Sequence, residues 1–276
     1  TREVINGGSN VQYGEGQVTG RHLLVGGEAT GNHYFTVRAV RKAVRFLKTM
    51  NTPRYEGSYW AIIHPDCSYD IQDDPDWKRP HEYKDTANIY DDEIGKIAGV
   101  RFVETTEAKV FHAENLTEGA RELKVKSASG KTITVNETIT ADDAAKLAGR
   151  MVIIGSEILE IESAAAAAAG SATITLKDAP ATSPAASTVV YPGEAGAKGR
   201  NVYSTLIMGA EAYGTTELTG GGLEHIVKPL GSAGTADPLN QRATVGWKAT
   251  NVAERLVEAY LIRVETTSTF DETPLT

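Results

Sequence analysis

His64 and Asp66, with His81 and Glu82 further on, come nearest to residues that could do chemistry. An imidazole beside carboxylates can serve as an acid–base pair or as part of a metal shell. Neither arrangement is complete. His81-Glu82-Tyr83-Lys84-Asp85 lacks the second histidine of a zinc-binding helix, and no third ligand stands at a diagnostic spacing. His64-Pro65-Asp66 reads equally as a strand-to-helix junction. Proline suits a first helical position because its missing N–H is not needed there, and an acid is favoured in the first turn. Gly130-Lys131-Thr132 has the ending of a phosphate-binding loop, but Val125 stands where that loop needs its first glycine, and Thr132 to Val135 has the pattern of a strand rather than a helix. Ser127 to Gly130 is therefore a hairpin turn. Cys67 is the single cysteine, so no intrachain disulfide can form, and no His or Asn is placed to make it a nucleophile. The sequence assigns no catalytic residue, no cofactor and no metal.

Charge is more informative. Arg38, Arg41, Lys42, Arg45 and Lys48 follow one another with no acid between Glu28 and Glu56. Residues 66–93 then hold ten acids, including Asp66, Asp70, Asp73, Asp74 and Asp76, against Lys78, Arg79 and Lys84. Such runs are either two solvated faces or complementary surfaces that meet between neighbouring copies and set their register. The basic run facing DNA is a third reading, which the net charge of -8 disfavours as the main role.

The elements that would position these residues can be read from spacing. Val37, Val40, Val44 and Leu47 put Thr36 to Met50 on one helical face, ended by Asn51-Thr52-Pro53. Ser58 to Ile63 reads as a strand, His64-Pro65 opens a short helix, Asp73 to Asp92 reads as irregular surface, and Val100 to Val103 as a strand. Residues 107–200 differ in composition: they carry Phe111 and Tyr191 as their only aromatics, out of 3 Trp, 11 Tyr and 5 Phe in the chain. The pattern there predicts strands at Leu123 to Val125, Thr132 to Val135, Met151 to Ile154, Ile158 to Ile161 and Thr173 to Leu176. A helix is predicted at Ala141 to Leu147, with Thr140 and Asp143 as its capping pair. Ala164 to Ala169 reads as a loop and Pro192 to Gly196 as an exit linker. Further strands are expected at Ser204 to Met208, Thr244 to Thr250 and Leu256 to Val264. Lys228 to Arg242 holds Pro229, Gly231, Gly234 and Pro238, and is expected as an ordered loop held by neighbouring copies. No apolar run approaches the roughly 20 residues needed to span a bilayer.

Several blocks resemble the major capsid proteins of N4-like tailed phages. They are Ile62-Ile63-His64-Pro65-Asp66, Asp74-Pro75-Asp76-Trp77, Glu93 through Thr105, and Ile226-Val227-Lys228-Pro229-Leu230-Gly231-Ser232-Ala233-Gly234, continuing through Thr235 to Arg242 and into Val245-Gly246-Trp247-Lys248-Ala249. The resemblance covers most of residues 1–105 and 201–265 and is looser between them. It implies an α+β chain of the Hong Kong 97-type phage capsid fold. Residues 1–35 would be an extended arm or loop, 36–106 and 201–276 the axial and peripheral core, and 107–200 an inserted β-rich domain. The family also carries a substantial portion before the position matching Thr1, so the chain reads as processed or cut from something longer.

The implied function is structural and not enzymatic: a major capsid protein that self-assembles, as hexamers and pentamers, into the icosahedral shell of a tailed phage enclosing its DNA. The implied partners are copies of itself, then decoration, scaffold or portal proteins, and packaged DNA by proximity without sequence specificity; no membrane is involved. Localisation would be the virion, after assembly in the bacterial host cytoplasm. Candidate subunit-interface residues are Arg38, Arg41, Arg45, Lys228, Asp237 and Arg242. Two other classes remain as alternatives: a β-rich surface or carbohydrate-binding module, which predicts a ligand groove, and a hydrolase, which predicts clustered carboxylates around His64 and Asp66.

Overall fold

A computed structural model of the chain describes residues 5–25, 33–82, 95–217, 223–232, 239 and 241–272. Strand β1 (Val11–Tyr13) and a 3-10 turn at Arg21–Leu23 precede helix α1 (Val37–Thr49). The helix starts where the Thr36 hydroxyl accepts the Ala39 N–H, filling one of the donors that a helix start leaves open. Val37, Val40, Val44 and Leu47 are buried together with Ala39 and Ala43, while the basic side chains point outward. The apolar stripe read from the sequence is thus the packed face. Strand β2 (Tyr59–Ile63) runs into helix α2 (Pro65–Asp73), then helix α3 (Pro75–Glu82), β3 (Lys96–Ile97), β4 (Val100–Glu104) and β5 (Val110–Phe111).

The next stretch closes on itself. Strands β6 (Leu123–Ser129), β7 (Thr132–Val135), β8 (Met151–Ile154), β9 (Glu157–Ala165), β10 (Thr173–Leu176) and β11 (Val189–Pro192) form a closed barrel in the order β10-β7-β6-β11-β8-β9. Its interior is filled by Leu123, Val125, Ile133, Val135, Val152, Ile154, Ile161, Ile174, Leu176 and Val190. Helix α4 (Ala141–Leu147) adds Leu147 to that core. Closure removes the unpaired edges that a small open sheet would expose. Arg150 clamps the root of the barrel. It donates to the Glu194 carboxylate at 2.7 Å and to the carbonyls of Asn115 and Glu114 at 2.6 and 2.8 Å, joining the entering chain to the leaving chain. Gly193 is required at this exit, because a Cβ there would lie 2.7 Å from the Met151 backbone.

After the barrel come β12 (Val202–Met208), β13 (Tyr213–Glu217), β14 (Glu224–Lys228), β15 (Thr244–Lys248), β16 (Asn251–Arg255) and β17 (Leu261–Thr266). A seven-stranded sheet runs β1-β17-β12-β2-β4-β3, with β5 also paired to β12. β1 is parallel to β17 and β2 to β4, and the remaining pairs are antiparallel. One face packs Tyr59, Ala61, Ile63, Val100, Ile207, Ile262 and Val264 under α1 and α2. The opposite face gathers Leu206, Met208 and Leu261 around Ile5 and Ala212. Among the described residues no helix is long and apolar enough to cross a membrane.

Four expectations need correction. Residues 5–25, expected as part of an arm that waits for neighbours, are held by their own chain. β1 pairs with β17, and the Gln12 amide donates to the Ala39 carbonyl at 3.0 Å. Asp73 to Asp92, expected as irregular, contains α3, whose start is capped by Asp74 accepting the Asp76 N–H at 2.8 Å. The predicted strand from Leu256 begins only at Leu261, because residues 258–260 turn in a 3-10 helix with the Tyr260 N–H on the Val257 carbonyl. The segment from Lys228 to Arg242, expected as an ordered loop, opens on the last residue of β14, and its residues 233–238 and 240 lie outside the described residues. Pro229 then ends the strand by removing a ladder donor. Strand β11 was also absent from the sequence reading, because Val189-Val190-Tyr191 stands immediately before the proline and glycine that mark the exit.

Candidate assembly surface

β13 to β16 do not join the central sheet. They form two antiparallel ribbons, β13 with β16 and β14 with β15. In the second, register pairs Glu224 with Lys248, His225 with Trp247, Ile226 with Gly246, Val227 with Val245 and Lys228 with Thr244. Residues opposite each other share a face and successive residues alternate, so the two faces of this ribbon differ in chemistry. One carries the Glu224–Lys248 ion pair at 2.8 Å with Ile226, Lys228 and Thr244. The other carries Trp247, Val227, Val245 and His225, and by alternation Leu223. The apolar face lies open: Leu223 is 76% exposed, Trp247 73% and Val245 71%. Leu230 and Leu239, beyond the strand ends, are exposed as well.

Such a face is costly in water. At roughly 25 cal/mol per Å² of apolar surface, burying a Trp, a Leu and two Val side chains is worth several kcal/mol. A two-stranded ribbon without further support is marginally stable, and its strand edges are templates for pairing. Exposed apolar surface concentrated on one element marks a contact site.

The interface residues expected from the sequence fall on two elements. Lys228 closes β14 and Arg242 stands just before β15, both exposed, on the ribbon. Asp237 lies outside the described residues. Arg38, Arg41 and Arg45 stand on the outer face of α1. Arg38 pairs with Glu15 at 3.4 Å and Arg41 with Asp76 at 3.7 Å. Arg45 lines a shallow groove with Arg41, Lys48 and Ala98. Much of the acidic run is engaged inside the chain. Asp74 accepts the Val37 N–H at the start of α1, Asp73 pairs with Lys78 at 2.5 Å, and Asp70 holds the Thr269 hydroxyl at 2.6 Å.

His64 and Asp66 border a polar cleft with Lys109, His112, Glu114 and Glu194. His64 Nδ1 accepts the Asp66 backbone N–H at 3.2 Å and so caps α2. Burial holds the imidazole below the ordinary histidine range, although Asp66 and Glu104 pull it up. Its lone pair is therefore committed to the fold. Burial also pushes the Cys67 thiol far above the usual range, beside Thr266. Among the described residues no group of three or more His, Cys, Asp or Glu side chains is placed to hold a metal. The barrel interior, where a binding module would keep its ligand, is filled by aliphatic side chains.

Sequence reasoning missed the open ribbon face. The strand pattern of Leu223-Glu224-His225-Ile226-Val227-Lys228 stands between glycines and the proline-rich segment from Lys228 to Arg242, and no element was assigned to it.

No protein-family model matches the sequence, and no curated protein matches it. Among solved structures the chain is similar to one in the capsid structure of the Cyanophage P-SCSP1u, with a TM-score of 0.41 and 12% identity over 84% of this chain and 46% of that one. It is also similar to one in the acidic stable capsid structure of Helicobacter pylori bacteriophage KHP30, with a TM-score of 0.47 and 9% identity over 96% of this chain and 64% of that one. This chain spans less than two thirds of the length of either.

Proposed function

We propose that this chain is the shell-forming part of a tailed-phage major capsid protein of the N4-like group and the Hong Kong 97 type. It acts by assembling with copies of itself, as hexamers and pentamers, into an icosahedral shell around the phage DNA, and it catalyses nothing. The observation that carries the reading is the amphipathic ribbon of β14 and β15, whose apolar face the chain leaves uncovered. The longest block of resemblance, Ile226 to Arg242 with Val245 to Ala249, falls on this ribbon and its tip. In this reading the α+β sheet with its helices, drawn mainly from 36–106 and 201–276 and joined by β1 and β5, is the capsid core. The barrel within 107–200 is an insertion in it. The partners are further copies, with scaffold, portal and decoration proteins around them and DNA contacted by proximity. The location is the virion, assembled in the host cytoplasm.

The basic face of α1 is a second contact in this reading. Arg38 and Arg41 are themselves largely exposed in their in-chain pairs, and surface pairs hold their partners by about 1 kcal/mol or less, so Arg38, Arg41 and Arg45 remain available to a neighbour's acids. Imaging of the purified protein by negative stain, together with sizing, tests the proposal. Shells, sheets or capsomer rings are expected, and a compact monomer at every concentration would overturn it.

A further inference from the structure

The second face of the central sheet can be followed strand by strand. Register places Leu261, Met208, Trp60 and Arg101 in one row across it, and Arg263, Leu206, Ile62 and Val103 in the next. The described part of the N-terminal segment lies over the β17 and β12 end, and Trp60 and Ile62 of β2 pack against the cluster it forms there. Ile5 packs on Leu206, Met208 and Leu261, and the Ser204 hydroxyl donates to the Asn6 side chain at 2.7 Å. At the other end Trp60 and Ile62 are half-buried, Arg101 is exposed and Val103 is 42% exposed. Tyr55 flanks them, edge-on to Trp60 with ring centres 6.2 Å apart. What stays partly open is a strip on β2 and β4, each five residues long, between the Ile5 cluster, against which Trp60 and Ile62 pack, and Lys96 of β3, which stands opposite Arg101.

The ribbon of β14 and β15 has the same footprint, two strands of five residues. We propose that the apolar face of this ribbon in one copy packs face to face on the β2–β4 strip of a second copy. The inference rests on the self-assembly reading above and names its contact. Two sheet layers stack about 10 Å apart with their strands within about 30°, so the two-stranded ribbon can lie along β2 and β4. Apolar meets apolar: Trp247, Val245 and Val227 lie on Trp60, Ile62 and Val103. Trp247 also brings an indole to Arg101, whose guanidinium already lies 5.8 Å from the Trp60 ring centre.

Continuation favours this head-to-tail contact over two ribbons packed on each other. At roughly 100 Å² for each large exposed side chain, one ribbon face offers on the order of 500 Å², while a stable interface takes about 800 Å² per partner. A ribbon-on-ribbon pair would end there. A copy that gives its ribbon to one neighbour and receives the ribbon of another makes two such modest contacts, each below the usual size, and leaves the assembly able to continue.

Val103 and Val245 are both exposed, so a cysteine at either is accommodated, and Cys67 is fully buried and does not compete. Val103→Cys and Val245→Cys are made as separate full-length chains, then oxidised alone and mixed. The expected result is a disulfide-linked dimer in the mixture and none in either variant alone. Cross-linking of Val245→Cys with itself would replace the contact with ribbon-on-ribbon packing. Association of the chains without any cross-link in the mixture would overturn this contact and leave the assembly reading standing. Chains that stay monomeric under all conditions would remove both.

Discussion

Glu265 is fully buried, yet it meets two arginines: Arg21 through two bonds at 2.7 and 2.8 Å, and Arg263 at 2.8 Å. Arg21 comes from the N-terminal segment and stacks 3.4 Å from the centre of the Phe111 ring. The cluster therefore ties that segment, β5 and β17 into one unit. Removing one member of a buried ionic group leaves the others without compensation. Glu265→Ala is expected to cost about 3–5 kcal/mol in chemical unfolding, while Arg38→Ala, at an exposed pair, should cost about 1 kcal/mol or less. His64 makes a second prediction. Its folded-state pKa lies below the unfolded value, so its contribution to stability is complete above the ordinary value of about 6.5 and falls as pH drops through the window beneath it. Asp70 acts in the opposite sense: burial raises its pKa, so its contribution is present at low pH and declines as pH rises through the folded value. His64→Asn keeps a cap on α2 and removes the titration. Thermal unfolding between pH 7 and 5, roughly the span over which a histidine titrates, should fall less steeply in the variant than in the wild type. Identical slopes would show that His64 does not carry this dependence. At this scale the sequence was legible where partners are local. Thr140 and Asp143 form the capping box read from their three-residue spacing, and His64-Pro65-Asp66 is the junction its residue types implied. It was not legible for Glu265, whose partner Arg21 is 244 residues away.

Among the elements, β7, β8 and β10 of the barrel were read residue for residue, because alternation of apolar and polar residues with glycine turns is a local signal, while β6 and β9 each run four residues beyond the end that was read. Closure was not legible, because it depends on β11 pairing with both β6 and β8. The barrel owns its core, so residues 107–200 expressed alone should show β structure and a cooperative melt by circular dichroism. A spectrum without either would show that the central sheet is needed to hold the barrel. Thr140→Ala should lower the stability of that fragment by about 1 kcal/mol, the usual worth of a cap. The ribbon makes the opposite case. Its strands hold each other by register alone on one side of a proline- and glycine-rich tip, and their apolar face contributes nothing to the fold of the single chain. Amides of β14 and β15 should therefore exchange rapidly in free subunits and slowly in assembled particles. Equal protection in both states would mean that the ribbon is ordered by its own chain.

For the whole molecule, two incompletely covered apolar surfaces lie at different places on one polypeptide, the ribbon face and the face of β2 and β4 turned away from the core under α1 and α2. On the proposed reading the chain folds first and associates second, so a substitution on the ribbon should separate the two steps. Trp247→Asp places a charge at the centre of the apolar face, where burial without a partner is strongly unfavourable, and touches no residue of either sheet core. Sedimentation velocity of the wild type and Trp247→Asp over a concentration series is the most direct measurement. The wild type should associate into larger species as concentration rises, and the variant should remain a folded monomer throughout. Two proteins that both stay monomeric, or a variant that associates as the wild type does, would contradict the account.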